Sequence, residues 1–184
     1  ASGAALPHNV AREIERELAR LELVMTQLKE VEKERDAIVA GPPGEDATVV
    51  KIQQLNQLRS IAEETATKLA REMYHRRFAN TRQVGGFLGL DGSPMCSGQM
   101  AREQGISKRG NPQLRASFIE LAHRWIRHHP DSVLTRWYLA RLGAAKGAQK
   151  RKLIVALARK LAIALWRYLE TGLVPEGALL KTQA

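Results

Sequence analysis

The sequence predicts an all-α protein: a long N-terminal coiled-coil helical hairpin, then a compact basic helical domain with an irregular Ser-Gly loop. Ala, Leu, Glu, Arg and Lys dominate its 184 residues, and these residue types favour the α-helix. Apolar residues recur at helical spacing, and no segment reads convincingly as a β-strand. No apolar run is long enough to cross a membrane, so we expect no membrane partner. The single cysteine, Cys96, excludes an internal disulfide and favours a reducing, cytoplasmic setting.

The first segment has the apolar spacing of a coiled coil. Steps of four and three residues separate Ile14, Leu18, Leu21, Met25 and Leu28. This spacing predicts one helix over about residues 9–40, which the prolines and glycines at 41–44 must end. A second helix, from near Thr48, either folds back on the first as an antiparallel hairpin or joins it in pairing with another chain, and both alternatives stay open. We assign residues 1–75 to assembly, as homo-oligomers formed through these helices.

Further helices are predicted in the rest of the chain, with ends set by capping residues. Residues 60–73 continue as helix, and a short helix capped by Asn80 or Thr81 runs to about Leu88. The pair Gly85-Gly86 inside it is unfavourable for a helix, which predicts close packing against a neighbour. Three more helices are predicted from their capping residues. The first starts at Asn111-Pro112 and ends before Pro130, the second starts at Asp131 or Ser132 and ends at Gly143, and the third covers residues 149–171 and ends at Gly172. A basic connection, residues 143–152, leads into the last of these.

Positive charge is concentrated in the second part of the chain. Residues 1–75 hold 10 Lys and Arg against 13 Asp and Glu, whereas residues 76–184 hold 19 against 6. A solvated surface is the ordinary explanation of a basic protein, but a bias this strong favours a polyanion as partner, and nucleic acid is the commonest. We therefore treat residues 76–184 as a basic, nucleic-acid-binding domain.

Residues 91–111 have no apolar period and combine small residues with cations. Ser97 stands beside Gly98, which would let the backbone approach a ligand closely, and Gly110 is assigned the same role. Four cations in or after this loop could bind phosphate oxygens: Arg102, Lys108, Arg109 and Arg115. A hydroxyl among phosphate-binding groups suits a nucleophile for a phosphodiester, if another group activates it. A serine in a loop is more often only a loop residue, and Cys96 is the rival nucleophile, so chemistry alone leaves the role open.

The sequence gives no sign of a metal site. None of the five histidines is paired with another His, Cys or carboxylate at zinc spacing, and the acidic residues after residue 75 are scattered. The adjacent His128 and His129 suit the C-terminal end of a helix, where the dipole favours positive charge, better than a ligand pair. We expect no metal and no other cofactor bound by these residues.

Four stretches follow one another along the chain: FANTRQVGGFLGL at 78–90, CSG at 96–98, GISKRGNPQLR at 105–115 and IVALARKLAIALWRYLETGLVPEGA at 154–178. In this order and spacing they resemble the C-terminal part of the insertion-sequence transposases typed by insertion sequence 110, with 116 and 902. The resemblance begins at about Leu55. The helical region before it is similar to the linker of that family, although its composition is generic.

The resemblance implies a DNA recombinase of the serine-containing DEDD type. In this family an N-terminal domain carries four acidic metal ligands, and a C-terminal domain supplies a serine, here Ser97, to a composite active site. Magnesium is expected in the acidic domain, which this sequence lacks, so we expect a C-terminal fragment that is inactive by itself. The resemblance also implies DNA and a structured guide RNA as partners, multimers formed through the coiled coil, and the bacterial cytoplasm as location.

The sequence therefore favours a domain that binds nucleic acid and presents Ser97 as nucleophile. The alternative is a non-enzymatic nucleic-acid-binding or oligomerisation module, in which the loop at 91–111 binds and Ser97 only donates a hydrogen bond.

Overall fold

The computed structural model describes residues 7–42, 46–97, 100–143 and 145–181, with the backbone alone described over residues 93–104. The described residues form seven α-helices and one two-stranded antiparallel sheet. The helices are α1 (His8–Ala40), α2 (Ala47–Asn56), α3 (Glu63–Leu69), α4 (Thr81–Phe87), α5 (Pro112–His128), α6 (Val133–Leu142) and α7 (Ala148–Thr171). A π-helical turn, Ala70–Tyr74, continues α3, and the strands are β1 (Gly92–Ser97) and β2 (Met100–Ile106). This predominantly helical structure confirms the all-α prediction.

The contacts divide the chain into two units between residues 42 and 43. The first unit contains α1, whose predicted extent is confirmed to within one residue. Its seam residues are exposed, from 43% at Ile14 to 55% at Leu28, so their pairing with a second helix stays a prediction. The sequence predicts a change of role at residues 75/76, and that position lies inside the second unit.

The second helix, α2, contributes its apolar face to the core of the second unit. Ile52 and Leu55 are buried, and α2 packs against α3, the π-helical turn and α7. Asp46 caps its start by accepting a hydrogen bond of 2.7 Å from the backbone N–H of Thr48. The apolar face that could have formed a hairpin seam is therefore used inside this unit.

The core of the second unit lies between α5 and α7. Each helix turns a stripe of fully buried apolar side chains towards the other: Phe118, Leu121 and Trp125 from α5, and Leu157, Leu161 and Leu165 from α7. Tyr74 enters this layer from the π-helical turn, edge-on to Phe118, and its hydroxyl donates a hydrogen bond of 2.9 Å to the Ala162 carbonyl. Burial raises the pKa of the Tyr74 hydroxyl well above its ordinary value, so it remains a donor.

The predicted helix starts are confirmed where a side chain caps them. Asn80, Asn111 and Ser132 each accept a hydrogen bond from a backbone N–H of the first turn of α4, α5 and α6. The predicted extent of the last helix, residues 149–171, is confirmed to within one residue, since α7 begins at Ala148 and ends at Thr171. Gly147 ends the connection, and the residues after it are good helix formers, so Lys150, Arg151 and Lys152 belong to the helix.

Residues 91–111 are not the irregular loop that the sequence predicts. β1 and β2 pair antiparallel over most of this stretch, with Ser97 opposite Met100 and a bulge between Gly92 and Pro94. Backbone pairing forms the hairpin without the alternation of apolar and polar residues by which a strand is recognised. Pro94 is compatible with this arrangement because β1 is an edge strand.

The C-terminal segment pairs with the chain after α2, and His129 differs from prediction. Residues 57–59 and 179–181 form a short antiparallel bridge. The His129 ring is fully buried, and it accepts a hydrogen bond from Leu179 N–H at Nδ1 and meets Ser60 Oγ at Nε2, 3.0 Å away. Burial, with smaller contributions from His128 and Arg59, lowers the pKa of His129 to about 4. His129 is therefore neutral and structural, and not a positive charge at the end of a helix.

Candidate nucleic-acid interface

The hairpin places the backbone of Ser97 at the end of β1. Ser97 is the last residue of the strand, and its register partner Met100 begins β2. Arg102 lies on β2 opposite Met95. The side chains of Ser97, Cys96 and Arg102 are outside the described part of the structure, and Gly98 lies wholly outside the described residues. Their predicted roles therefore stay predictions.

The base of the hairpin is clasped to the end of α4. Ser107 N–H donates to the Asp91 carbonyl at 2.8 Å, Lys108 N–H to the Gly89 carbonyl at 3.2 Å, and Asn111 N–H to the Phe87 carbonyl at 3.1 Å. Gly110 allows this approach, because a Cβ there would lie 2.2 Å from the Phe87 carbonyl oxygen. The close approach predicted for Gly110 is thus made to the protein's own backbone.

Of the predicted phosphate-binding cations, Lys108 and Arg109 are exposed beside this clasp. Lys108 has a φ of 57°, a left-handed conformation that is unfavourable for a residue with a side chain. Arg115 is different. It is half-buried, and its Nη1 donates to the carbonyls of Leu88 and Lys108 at 3.2 and 3.4 Å. The Arg115 guanidinium thus holds the Lys108 backbone in place, a role that the sequence prediction missed.

An ion pair fastens the start of the hairpin to α7. Arg159 Nη2 lies 2.8 Å from Asp91 Oδ1, and both side chains are only partly exposed. Gly85 packs against this pair, because a Cβ there would lie 2.4 Å from Asp91 Oδ1 and 2.7 Å from Arg159 Nε. The close packing predicted for Gly85 is confirmed. Sequence reasoning missed Asp91, which looked like one scattered acid; its position directly before the first strand was the available signal.

The described residues do not fit a metal centre. Among them, no three His, Cys, Asp or Glu side chains come close enough together to hold an ion. Nor does any described helix have the length and apolar character needed to cross a membrane. What the arrangement offers is a clasped hairpin with exposed cations at its base, which suits contact with a phosphate backbone.

Comparison with known proteins indicates a family. Residues 52–137 match the model described as "Transposase IS116/IS110/IS902 family". A protein of Sinorhizobium fredii (strain NBRC 101917 / NGR234), y4rJ, which is described as a candidate transposase, is 43% identical over 186 residues. That similarity covers 98% of this chain and 47% of the relative, so the chain spans about half the length of the curated protein it matches. The family match covers the first three of the four sequence stretches, and the similarity to y4rJ extends over nearly the whole chain.

Proposed function

The chain belongs to the IS116/IS110/IS902 transposase family by its match over residues 52–137, and on that premise we propose that it is the part of a DNA recombinase that binds nucleic acid and presents the serine. The observation that carries this proposal is the hairpin. Ser97 is the last residue of β1, the base of the hairpin is clasped to α4, and the exposed cations Lys108 and Arg109 lie at that base. A fixed base supports a strand end that must meet one particular phosphate.

The chemistry that suits this arrangement is transesterification. Ser97 Oγ attacks the phosphorus of a phosphodiester, one P–O ester bond breaks, and the products are a serine–DNA phosphodiester and a free hydroxyl end. The number of phosphodiester bonds is unchanged, so a second hydroxyl end can later displace the serine and rejoin the strand. This property suits recombination better than hydrolysis.

The groups that activate the serine are proposed to lie outside these 184 residues. The described side chains do not fit a magnesium site, and the chain corresponds to 47% of its relative, which leaves room for an acidic domain in the complete protein. We further propose DNA as substrate, a structured guide RNA as second nucleic acid, and action in the bacterial cytoplasm.

Assembly is proposed to use α1. Its seam from Ile14 to Leu28 repeats at coiled-coil spacing, and these apolar side chains are about half exposed in the single chain. Burying them against the α1 of a second copy would remove this apolar area from water.

The proposal is tested in the protein that also carries the acidic domain. Ser97→Ala should abolish DNA strand cleavage and the covalent protein–DNA adduct, while nucleic-acid binding persists because no charge is lost. Cys96→Ala is the matched control and should leave both intact. This 184-residue chain alone should not cleave DNA, with or without magnesium. If Ser97→Ala cleaves at the native rate, the chain is the non-enzymatic binding module instead.

A further inference from the structure

A stretch without any acidic side chain covers α6 and nearly all of α7. From residue 132 to residue 169 the sequence holds nine Lys and Arg and no Asp or Glu. Protein surfaces ordinarily mix both signs of charge. A surface of one sign attracts polyanions, and this stretch is separate from the cations beside the hairpin clasp.

Two of these cations, Arg151 and Lys152, are exposed, without a described partner, and next to the base of the hairpin. Arg151 and Lys152 are exposed near the start of α7. Among the described residues, neither side chain forms an ion pair or a hydrogen bond. Arg159, two turns further along, is instead paired with Asp91. Arg151 and Lys152 are therefore available to a ligand, whereas Arg159 serves the structure.

The surface around Lys152 is concave, and no described carboxylate lines its hollows. Three open hollows, with volumes of about 420, 510 and 310 Å³, adjoin α7, and Lys152 lines all three. Among the residues whose side chains the structure describes, no Asp or Glu lines any of them. Two other hollows of the described surface differ in this respect, since Glu64 and Glu120 line one, and Glu170 and Glu176 the other.

The rim of this surface carries two further cations that are already oriented. The guanidinium of Arg141 and the ammonium of Lys160 lie 4.7 and 4.8 Å from the centre of the Trp137 ring. Arg141 lines the 510 Å³ hollow and Lys160 the 310 Å³ hollow. A cation–π contact orients a cation without neutralising its charge, so both remain attractive to an anion.

The same surface borders the hairpin that carries Ser97. Gly92 and Gly105, at the base of the hairpin, line the 420 Å³ hollow together with Arg151 and Lys152. Ser97 is five residues along β1 from Gly92, a distance of up to about 17 Å at ~3.4 Å per residue. That span equals about five base pairs of duplex DNA at ~3.4 Å each. A polymer whose phosphate lies at Ser97 thus has neighbouring phosphates within reach of α7.

We propose that Arg151 and Lys152, with Arg141 and Lys160 at the rim, form a second contact for the phosphodiester backbone of a nucleic acid. We call these four residues the α7 basic surface. The inference rests on the proposed function, since the ligand is the DNA that the hairpin acts upon, and it adds a contact beside the base of the hairpin. Phosphate contacts fix the register of a polymer without reading its sequence. The α7 basic surface therefore positions the polymer for Ser97 and does not select a base sequence.

The test compares two double variants that each remove two exposed positive charges. Arg151→Gln with Lys152→Gln alters the α7 basic surface, and Arg71→Gln with Arg127→Gln is the matched control, since both control residues are exposed and line none of the three hollows. Binding of a short duplex DNA of generic sequence, and separately of a stem-loop RNA, is measured over a range of salt concentrations. Because each phosphate contact contributes about 0.9 to the slope of log affinity against log salt on duplex DNA, the first variant should lower that slope by about 1.8. The control should retain the native slope.

The outcomes distinguish a failure of the proposed function from a failure of the α7 basic surface alone. If the unaltered chain binds neither polymer, the proposed function is overturned. If it binds with a steep salt dependence but both double variants have the native slope, only the α7 basic surface is overturned. A slope lowered on DNA supports the proposal, whereas a slope lowered on RNA alone overturns the positioning of the DNA for Ser97. The exchange Arg151→Lys with Lys152→Arg preserves both charges and should give the native salt slope. Thermal unfolding of every variant verifies the fold.

Discussion

The ion pair between Asp91 and Arg159 joins the residue directly before the hairpin to the middle of α7. Their ion pair is partly exposed, with 22% of the Asp91 side chain and 39% of the Arg159 side chain accessible, so the attraction itself contributes little to the free energy of unfolding. Its consequence is geometric. Backbone hydrogen bonds join the residues after β2 to the end of α4 and the residues that follow it, and this pair joins Asp91 to α7, so the base of the hairpin is held from two sides.

The space beside this pair predicts the effect of Gly85→Ala. The added methyl group would lie within 3 Å of both partners, so the pair or the backbone of α4 must shift. We expect a loss of about 1–3 kcal/mol in the free energy of unfolding, measured by urea denaturation, although alanine is the better helix former. Gly143→Ala is the control, since nothing lies within 4 Å of its added methyl group. Equal stabilities of the two variants would contradict the close packing.

The conformation of Lys108 separates binding from stability. Lys108→Gly removes the charge and also relieves the left-handed backbone, whereas Lys108→Ala removes the charge and keeps the unfavourable φ. Both variants should bind DNA more weakly than the native chain and to a similar extent. The glycine variant should be more stable than the alanine variant by about 1 kcal/mol in thermal unfolding. Native affinity in both variants would remove Lys108 from the interface.

The buried His129 predicts that stability falls in mild acid. Its pKa is about 4 in the folded chain and 6.5 ordinarily, so the unfolded chain binds the proton first as the pH falls. The contribution of neutral His129 is complete above pH 6.5 and is lost as the pH falls towards 4, by at most roughly 1.4 kcal/mol per pH unit. Urea denaturation at several pH values across this window measures the slope.

His129→Asn is the control for that slope. Its side-chain oxygen can accept the Leu179 N–H bond in place of Nδ1, and it does not titrate. The variant should be less stable at neutral pH, because the larger ring also packs on Trp125, but its stability should depend less on pH over the same window. If native and variant slopes agree, carboxylates elsewhere cause the acid sensitivity.

The seam of α1 predicts concentration-dependent association. Leu21 lies on the seam, whereas Leu23 is equally exposed but occupies a position outside it. Leu21→Gln should weaken association by at least about tenfold, since a seam leucine loses its burial in each copy, and Leu23→Gln should not. Sedimentation equilibrium measures both. A native chain that stays monomeric at high concentration would refute assembly through α1.

The helices were predictable because their ends are decided locally. Asn111 followed by Pro112 fixes the start of α5 within a few residues of sequence, and the structure confirms both positions. The hairpin was not predictable in this way. β1 and β2 show no alternating pattern, and a two-stranded hairpin depends on what holds its base. Those contacts come from α4 and α7, which a local pattern does not reveal.

The partners of the side chains at the candidate site could not be predicted from the sequence either. The sequence identified Lys108, Arg109 and Arg115 as cations near one loop, but not that Arg115 donates to two carbonyl oxygens. It counted Asp91 as an isolated acid because its partner, Arg159, is distant in sequence. Charge and residue type are local properties, whereas the partner of a side chain is decided by the fold.

The bridge between residues 57–59 and 179–181 also affects the order in which the chain can fold. Lys181 bonds to Asn56 across 125 residues, and Tyr168 bonds to Gln57 across 111. During synthesis, the segment after α2 must therefore wait for almost all of the second unit before its hydrogen bonds are complete. Such long loop closures slow folding relative to helical bundles with local contacts. A ribosome-bound chain that stops short of residue 179 thus leaves the backbone N–H of Arg59 and Nδ1 of His129 without their native partners.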